Sequence, residues 1–526
     1  MKILNSEIYL VQGIKLDRNY VNVLSYSENQ MLELCKQNQV AHANNFSFIR
    51  PQNSIYVNFS YEDCLKSNYI AFQNPDYSNK WFFAFIDEVI YKGERNTEIT
   101  YKIDSWSTWF NYWQKQPCFI SRQHVNNDTI GLHTVPENID VGEMILEEEE
   151  EILLYNDEYY FILEGTYNPT TGKDFDGIGI YNGIASGAFL FAFKNYSDSP
   201  SLSAQNLNNF IKKINSEGKI ESINNLYILP SWIVDNLGTT DNSFQGTTGS
   251  YTSYLINNSS DFIEIANTFN KTNSFKTYSP KNNKCFTYPY NYLIIDNHIG
   301  NYNILRYEDF SPENPSLTPQ LVAQASLAVG GSVRLVPREY KNIDYNYQES
   351  IPLAKFPTCS WSSDAFTNWL VSNAVNVGSS IVSLGTGIAT GNVASVSGDI
   401  AGLIGNFYSA NLQPNIEGGN NTGDIIFSSK KNTFSLYHMR SKDEYMKIID
   451  DYFSRFGYKI NNIETPNIAG RQNWNYVEIG QNECIGYGTV PTIFMDEINN
   501  ACRKGVTIWH NHNNIGNYNL SNQITN

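Results

Sequence analysis

Two imidazoles stand two residues apart near the C-terminal end, His510 and His512 in "WHNHNN". On a strand, alternate side chains share a face, so the pair could hold a metal ion between them. No third ligand stands close by in the sequence, and a surface pair is the simpler expectation; no metal is assigned. His42, His124, His133, His298 and His438 are isolated. The seven cysteines (Cys35, Cys64, Cys118, Cys285, Cys359, Cys484 and Cys502) are odd in number, and no pair has C-x-x-C spacing. They read as free thiols made in a reducing compartment. Sequence motifs for a serine nucleophile elbow, a phosphate loop, a zinc protease helix and a dinucleotide turn are all missing. A glycosidase-type carboxylate pair depends on spacing in space, which 53 acidic residues leave open. The expectation is no enzyme and no cofactor. Five consecutive glutamates, Glu147 to Glu151, must be solvated because like charges repel. An exposed strand edge or loop accounts for them; an acidic ring facing a channel, or a cation site, would need further copies or further ligands.

The chemistry that stands out is physical. Residues 368–415 contain no Lys, Arg or Glu, and a single Asp, Asp399. The whole chain carries a net charge of −17. Asp364 and Asp399 are placed to cap two helices. Phe366, Trp369 and Leu370 lead the first. Ile400, Leu403, Ile404 and Phe407 follow helical spacing in the second. Gly385, Gly387, Gly391 and Gly398 loosen the stretch between, which carries Ile381, Val382, Leu384 and Ile388. The pattern predicts a helical hairpin with an apolar tip. Neither helix has the ~20 strongly apolar residues that a lone span requires. Lacking charges, the stretch also lacks the main cost of insertion. It fits a buried oligomer interface, a membrane-active loop or a linker; its length favours a functional loop.

The elements that would carry such a loop are β-rich. At 526 residues the chain is long enough for roughly three or four domains. Charged residues make up only 17% and aromatics as much as 14%, a composition suited to sheets with broad contact surfaces. The acidic balance argues against tight phosphate binding and is compatible with nucleic acid sliding past. The N-terminus "MKILNSEIYLVQG" lacks the apolar run of a signal peptide, so folding in a cytoplasm is expected. Ser27 and Gln30 predict a capping box. Ile99, Tyr101 and Ile103 predict a half-buried strand. Asp104 should cap a helix whose stripe is Trp106, Trp109, Phe110 and Trp113, ended by Pro117. From 152 to about 345 the pattern predicts strands and long polar turns, including "LYILPSWIV" as a strand. In the last hundred residues, Ser441 and Glu444 predict a second capping box. Gly457 should close that helix, and Tyr445, Ile448, Ile449, Tyr452, Phe453 and Phe456 should form its buried face. Helix, strand, helix and strand suggest a compact α+β module.

Three features occur in a fixed order: "YKIDSWSTWFNYWQKQPCFISRQHVNNDTIGLHTVPENIDVGE", the uncharged stretch, and a C-terminal F-G-Y…P-N-I…R…W-N-Y-V…W-H…G-N-Y pattern. Together they resemble the tail-knob (distal tail tube) proteins of small short-tailed phages of the Picovirinae type. The resemblance implies a multidomain, β-rich α+β fold with β-barrel-like tube domains from both chain ends. It implies a tube domain at 1–145, a β-rich knob at 146–350, a hydrophobic helical-hairpin loop at 351–415 and an α+β tube domain at 416–526. It further implies a homohexameric tube in the virion's distal tail, made in the host cytoplasm and joined to upper-tail or connector and tail-tip proteins. Viral DNA would pass through the lumen without specific binding. The loop would plug the lumen and then enter the host membrane lipid as a channel. Its inserting residues would be Phe366, Trp369, Leu370, Ile381, Val382, Leu384, Ile388, Ile400, Leu403, Ile404 and Phe407. A receptor- or glycan-binding tail protein without membrane activity is the alternative.

Overall fold

The computed structural model describes residues 7–525 except 45, 50–52, 75–77, 154–158, 182–183, 195–199, 247–248, 260–262, 271, 297–301, 311–319, 326–331, 342, 346–350, 356–357 and 361–432. The chain divides into two compact units. The first comprises Met1–Glu143, Lys276–Tyr290 and Ser441–Asn526, and the second Met144–Phe275 and Asn291–Arg440.

Unit one is built on two sheets. A seven-stranded sheet runs in the order Gln39–Asn44, Glu7–Val11, Tyr69–Asn74, Lys80–Gly93, Asn96–Ile103, Ser54–Val57, Ser47–Ile49. Its two edge strands are consecutive in the chain with only two residues between them. Three steps of backbone reach about 11 Å at most, so the sheet must curl enough to bring those two strand ends within that distance. Ile99 and Tyr101 are buried in this roll, as their alternation predicts. The helix Glu28–Gln37 packs its Met31, Leu32, Leu34 and Cys35 into the same core. Its capping box is present in both halves, with Ser27 Oγ accepting from Gln30 N–H and Gln30 Oε1 accepting from Ser27 N–H.

The second sheet joins the two ends of the chain. Its order is Asn22–Leu24, Val506–Trp509, Trp474–Ile479, Cys118–Gln123, Tyr458–Glu464, and the first pair is parallel. Asp104 does cap a helix, but that helix ends at Trp109. A 3-10 turn, Phe110–Tyr112, follows, and Trp113 begins a strand paired with Gly486–Gly488. The predicted four-residue helical stripe is therefore broken by a ribbon that only the distant glycine segment could dictate. All three tryptophans are nevertheless core residues.

The helix Asp443–Phe456 is capped at Lys442 without a side-chain bond, not at Ser441. Ser441 closes the strand Thr433–Ser441, and its N–H donates to Tyr290 O, so the strand takes the residue the cap would have used. The buried face is Met446, Ile449, Asp450 and Phe453, whereas Ile448 is exposed. Gly457 closes the helix at φ +65°, and Gly505 follows the helix Thr492–Lys504.

Unit two holds a six-stranded sheet in the order Thr239–Asp241, Tyr254–Ile256, Phe189–Lys194, Tyr159–Gly165, Ile223–Pro230, Thr358–Ser360. Alternation buries both faces. Phe161, Leu163, Phe191 and Phe193 meet Leu207, Phe210, Ile211 and Ile214 of the helix Pro200–Ser216. Tyr160, Ile162, Leu190 and Ala192 join Ile233 and Val234 of the helix Ser231–Leu237. These helices correct the expectation of strands and turns alone: "LYILPSWIV" is the end of a strand followed by a helix. The seventeen-residue Pro200–Ser216 helix is rich in Asn and Ser, and its helical character comes from the apolar face it lays on the sheet.

Candidate functional site

The eleven residues expected to enter a membrane, Phe366, Trp369, Leu370, Ile381, Val382, Leu384, Ile388, Ile400, Leu403, Ile404 and Phe407, lie outside the described residues. Both flanks of that stretch are described, and both belong to unit two up to Arg440. On the entering side, Thr358–Ser360 is the edge strand of the six-stranded sheet. It pairs with Ile223–Pro230 in the register Ser360↔Asn225, Cys359↔Leu226, Thr358↔Tyr227. On the leaving side, Thr433–Ser441 lies between two neighbours in a four-stranded sheet ordered Met144–Leu153, Thr433–Ser441, Asn291–Asp296, Tyr302–Leu305.

The leaving strand is the better anchored. Leu436 packs with Leu293, Ile295 and Leu305 in the unit-two core. Arg440 is 1% exposed; its Nε lies 2.5 Å from Glu147 Oε2 and its guanidinium 5.0 Å from the Phe275 ring centroid. His438 is buried too. Its ring stacks on Tyr307 at 5.8 Å and its Nδ1 is hydrogen-bonded to the Tyr307 hydroxyl. Burial pushes the Tyr307 phenol up, so it stays protonated. The other ring nitrogen, Nε2, lies 3.3 Å from Glu150 Oε1. Ser435 Oγ donates to Glu149 Oε1 at 3.2 Å.

The glutamate run is thus an edge strand, Met144–Leu153, as one of its readings expected. Glu148, Glu149 and Glu151 are exposed, while Glu147 and Glu150 reach the cation and the imidazole of the neighbouring strand. The sequence placed His438 among isolated histidines. Its partners come from Tyr307 and Glu150, 131 and 288 positions away, and only the sheet order reveals them.

His510 and His512 do not share a strand face, because the strand Val506–Trp509 stops before them. Each ring is already engaged. His510 meets Ser25 Oγ at 2.7 Å and Asn475 Oδ1 at 3.0 Å, and His512 Nε2 accepts the Lys15 N–H at 3.1 Å. His512 is 6% exposed, so it is not a surface residue. Among the described residues no group of three or more His, Cys, Asp and Glu is arranged to hold a metal ion, and no helix is long and apolar enough to cross a membrane. Cys35, Cys64, Cys118, Cys285, Cys484 and Cys502 are free thiols.

Comparison with known proteins adds to this geometry. A family model described as the C-terminal domain of the tail knob protein gp9 of Bacillus phage phi29 matches residues 251–523. A model of the caudoviral major tail protein N-terminus matches residues 4–114. The chain is 23% identical to tail knob protein gp9 of Bacillus phage phi29, covering 99% of this chain and 98% of that one. It is 24% identical to tail knob protein gp9 of Bacillus phage PZA, covering 90% of each. Among solved structures it is similar in fold to the bacteriophage C1 tail knob protein gp12. That match has a TM-score of 0.61 at 15% identity and covers 99% of this chain and all of the other.

Proposed function

The chain belongs to the phage tail knob protein family whose C-terminal domain model spans residues 251–523, and from that premise we propose that it forms the distal end of a DNA-ejection tube. It is a structural protein of the phage tail and assembles there with other tail proteins. In this reading six copies close a ring through one repeated heterologous contact. Residues 1–145 and 416–526 supply the tube, 146–350 the knob, and 351–415 a plug. The plug leaves the lumen and enters the host cytoplasmic membrane as a channel for the viral DNA.

The observation that carries this reading is the contrast between the stretch and its flanks. Residues 368–415 hold one ionisable side chain, Asp399, besides a tyrosine, whereas the strand that follows is pinned by Arg440, His438 and a packed core. An uncharged excursion returning to a firm anchor suits a segment that changes surroundings while the body stays folded. Each Lys, Arg or Asp at mid-bilayer would cost about 2.5–3.5 kcal/mol on insertion scales, and the stretch avoids nearly all of that. Neighbouring copies in a ring would cover the apolar surface before use.

Deleting residues 361–412 tests it. The deleted protein should still assemble by analytical ultracentrifugation, yet release no dye from liposomes that the full chain permeabilises. Equal leakage from both proteins would overturn the membrane role. Binding of host-wall polysaccharide by the full chain, with no leakage from either protein, would favour the glycan-binding alternative.

A further inference from the structure

We propose that His124 and His512 form an acid-opened clasp holding the two ends of the chain together within unit one. Each ring receives a backbone N–H at a nitrogen lone pair. Tyr476 N–H donates to His124 Nδ1 at 2.8 Å, and Lys15 N–H donates to His512 Nε2 at 3.1 Å. Protonating either nitrogen would set two N–H groups against each other in a buried place. His124 Nε2 already donates to Ser454 O at 3.1 Å, which fixes the neutral tautomer.

Both rings sit at seams. His124 follows the strand Cys118–Gln123 and touches the helix Asp443–Phe456 through Ser454, the strand Trp474–Ile479 through Tyr476, and Asn467, whose Nδ2 donates to His124 O. His512 joins the C-terminal segment to Lys15, Lys15 Nζ returns a bond to Asn513 O, and His512 N–H donates to the Tyr26 hydroxyl.

The surrounding charges do not welcome a cation. Arg122 on the preceding strand and Arg471 from the connection before Trp474–Ile479 both act to repel positive charge at His124. The ionisable groups on the other elements around it are already committed. Asp450 of the helix accepts from Asn282, Lys281 and Tyr278, Asp128 accepts from Tyr458, and the Tyr476 hydroxyl donates to Glu478. Lys15 repels charge at His512, and only the Asn513 side chain favours it. Burial is the largest influence on both rings, holding His124 at about 3 and lowering His512.

His510 shows the contrast within the same region. Asn475 Oδ1 accepts Arg471 N–H, so it presents oxygen to His510 Nε2–H. At Nδ1 stands a hydroxyl, Ser25 Oγ, which can turn to accept a ring proton while giving its own to Trp509 O. Burial lowers the His510 ring too, but its hydrogen bonds survive protonation; those of His124 and His512 do not.

An opened histidine takes a proton near its ordinary value of about 6.5, and a clasped one does not. Below that pH, and above the lowered value of the clasped ring, the opening equilibrium therefore rises about tenfold per pH unit for His124 and rises in the same direction for His512. Hydrogen exchange of the full-length protein, corrected for intrinsic rates, should show this at the donating amides. Peptides carrying Tyr476 should lose protection tenfold or more between pH 6.5 and 5, and those carrying Lys15 should lose protection over the same range, while peptides of Tyr69–Asn74 keep theirs. The double variant His124→Asn, His512→Gln places a non-titrating amide oxygen where each ring accepts, and should flatten the acid response. Unchanged protection of the wild-type amides at pH 5 would overturn the clasp. So would an identical acid response in a folded double variant.

Discussion

At the scale of single residues, unit one is fastened by buried charges as well as by apolar packing. The Glu137 side chain is buried, accepts from Lys284 Nζ at 2.6 Å and from the Lys459 N–H at 2.8 Å, and is paired with Arg122. Burial pulls the Lys284 ammonium down against the pull of Glu137, and the cations around Glu137 outweigh its own burial and keep the carboxyl below its ordinary range. Glu137→Gln should cost about 3–5 kcal/mol, read as a lowered denaturant midpoint, because two buried cations lose their anion. The pH signs separate these groups. The stability that Glu137 contributes is present above its ordinary value and lost only as pH falls through its lowered one. Asp128, raised by burial, opposes it: its ionised form is strained at neutral pH, and acid relieves that. The histidines act earlier, from about pH 6.5 downward, His124 at roughly 1.4 kcal/mol per pH unit and His512 in the same direction. A stability profile of unit one should therefore begin to fall near pH 6, before any carboxylate loss; a flat profile down to pH 5 would contradict this ordering.

At the scale of elements, close approach decides what the sequence can hold. Gly457 has a positive φ, and a Cβ there would lie 2.1 Å from Gln123 O, a backbone atom that cannot step aside. Gly457→Ala should destabilise unit one by at least about 3 kcal/mol in chemical denaturation, well beyond an exposed-helix glycine change. The leaving strand of the uncharged stretch depends on Arg440 in a comparable way. Arg440→Ala removes the partner of Glu147 and the cover of Phe275, and should cost about 3 kcal/mol. The same variant should speed chymotryptic cleavage after Leu436 and Tyr437; cleavage at the wild-type rate would show that the anchor lies elsewhere.

At the scale of the whole molecule, the net charge of −17 disfavours tight phosphate binding, as the proposed conduit requires. If the proposed conduit is right, adding double-stranded DNA to the assembled protein should give no retention at physiological salt in a filter assay. Tight, salt-sensitive retention would argue for a binding role instead.

Much was legible from sequence because it rests on local rules. The Ser27–Gln30 box, the alternation at Ile99 and Tyr101, the Gly457 stop and the edge-strand glutamates each follow from residues within a few positions of one another. The motif order and the uncharged stretch were equally visible, since composition needs no fold to be read. What the sequence could not supply were pairings across hundreds of residues. Trp113 left its helix for a ribbon with Gly488, Ser441 stayed in a strand beside Tyr290, and His438, His510 and His512 found partners far along the chain. The physical reason is that backbone preference is set by neighbours in sequence, whereas burial and hydrogen-bond satisfaction are set by neighbours in space. A sheet that joins residues 22–24 to 506–509 makes those two neighbourhoods different.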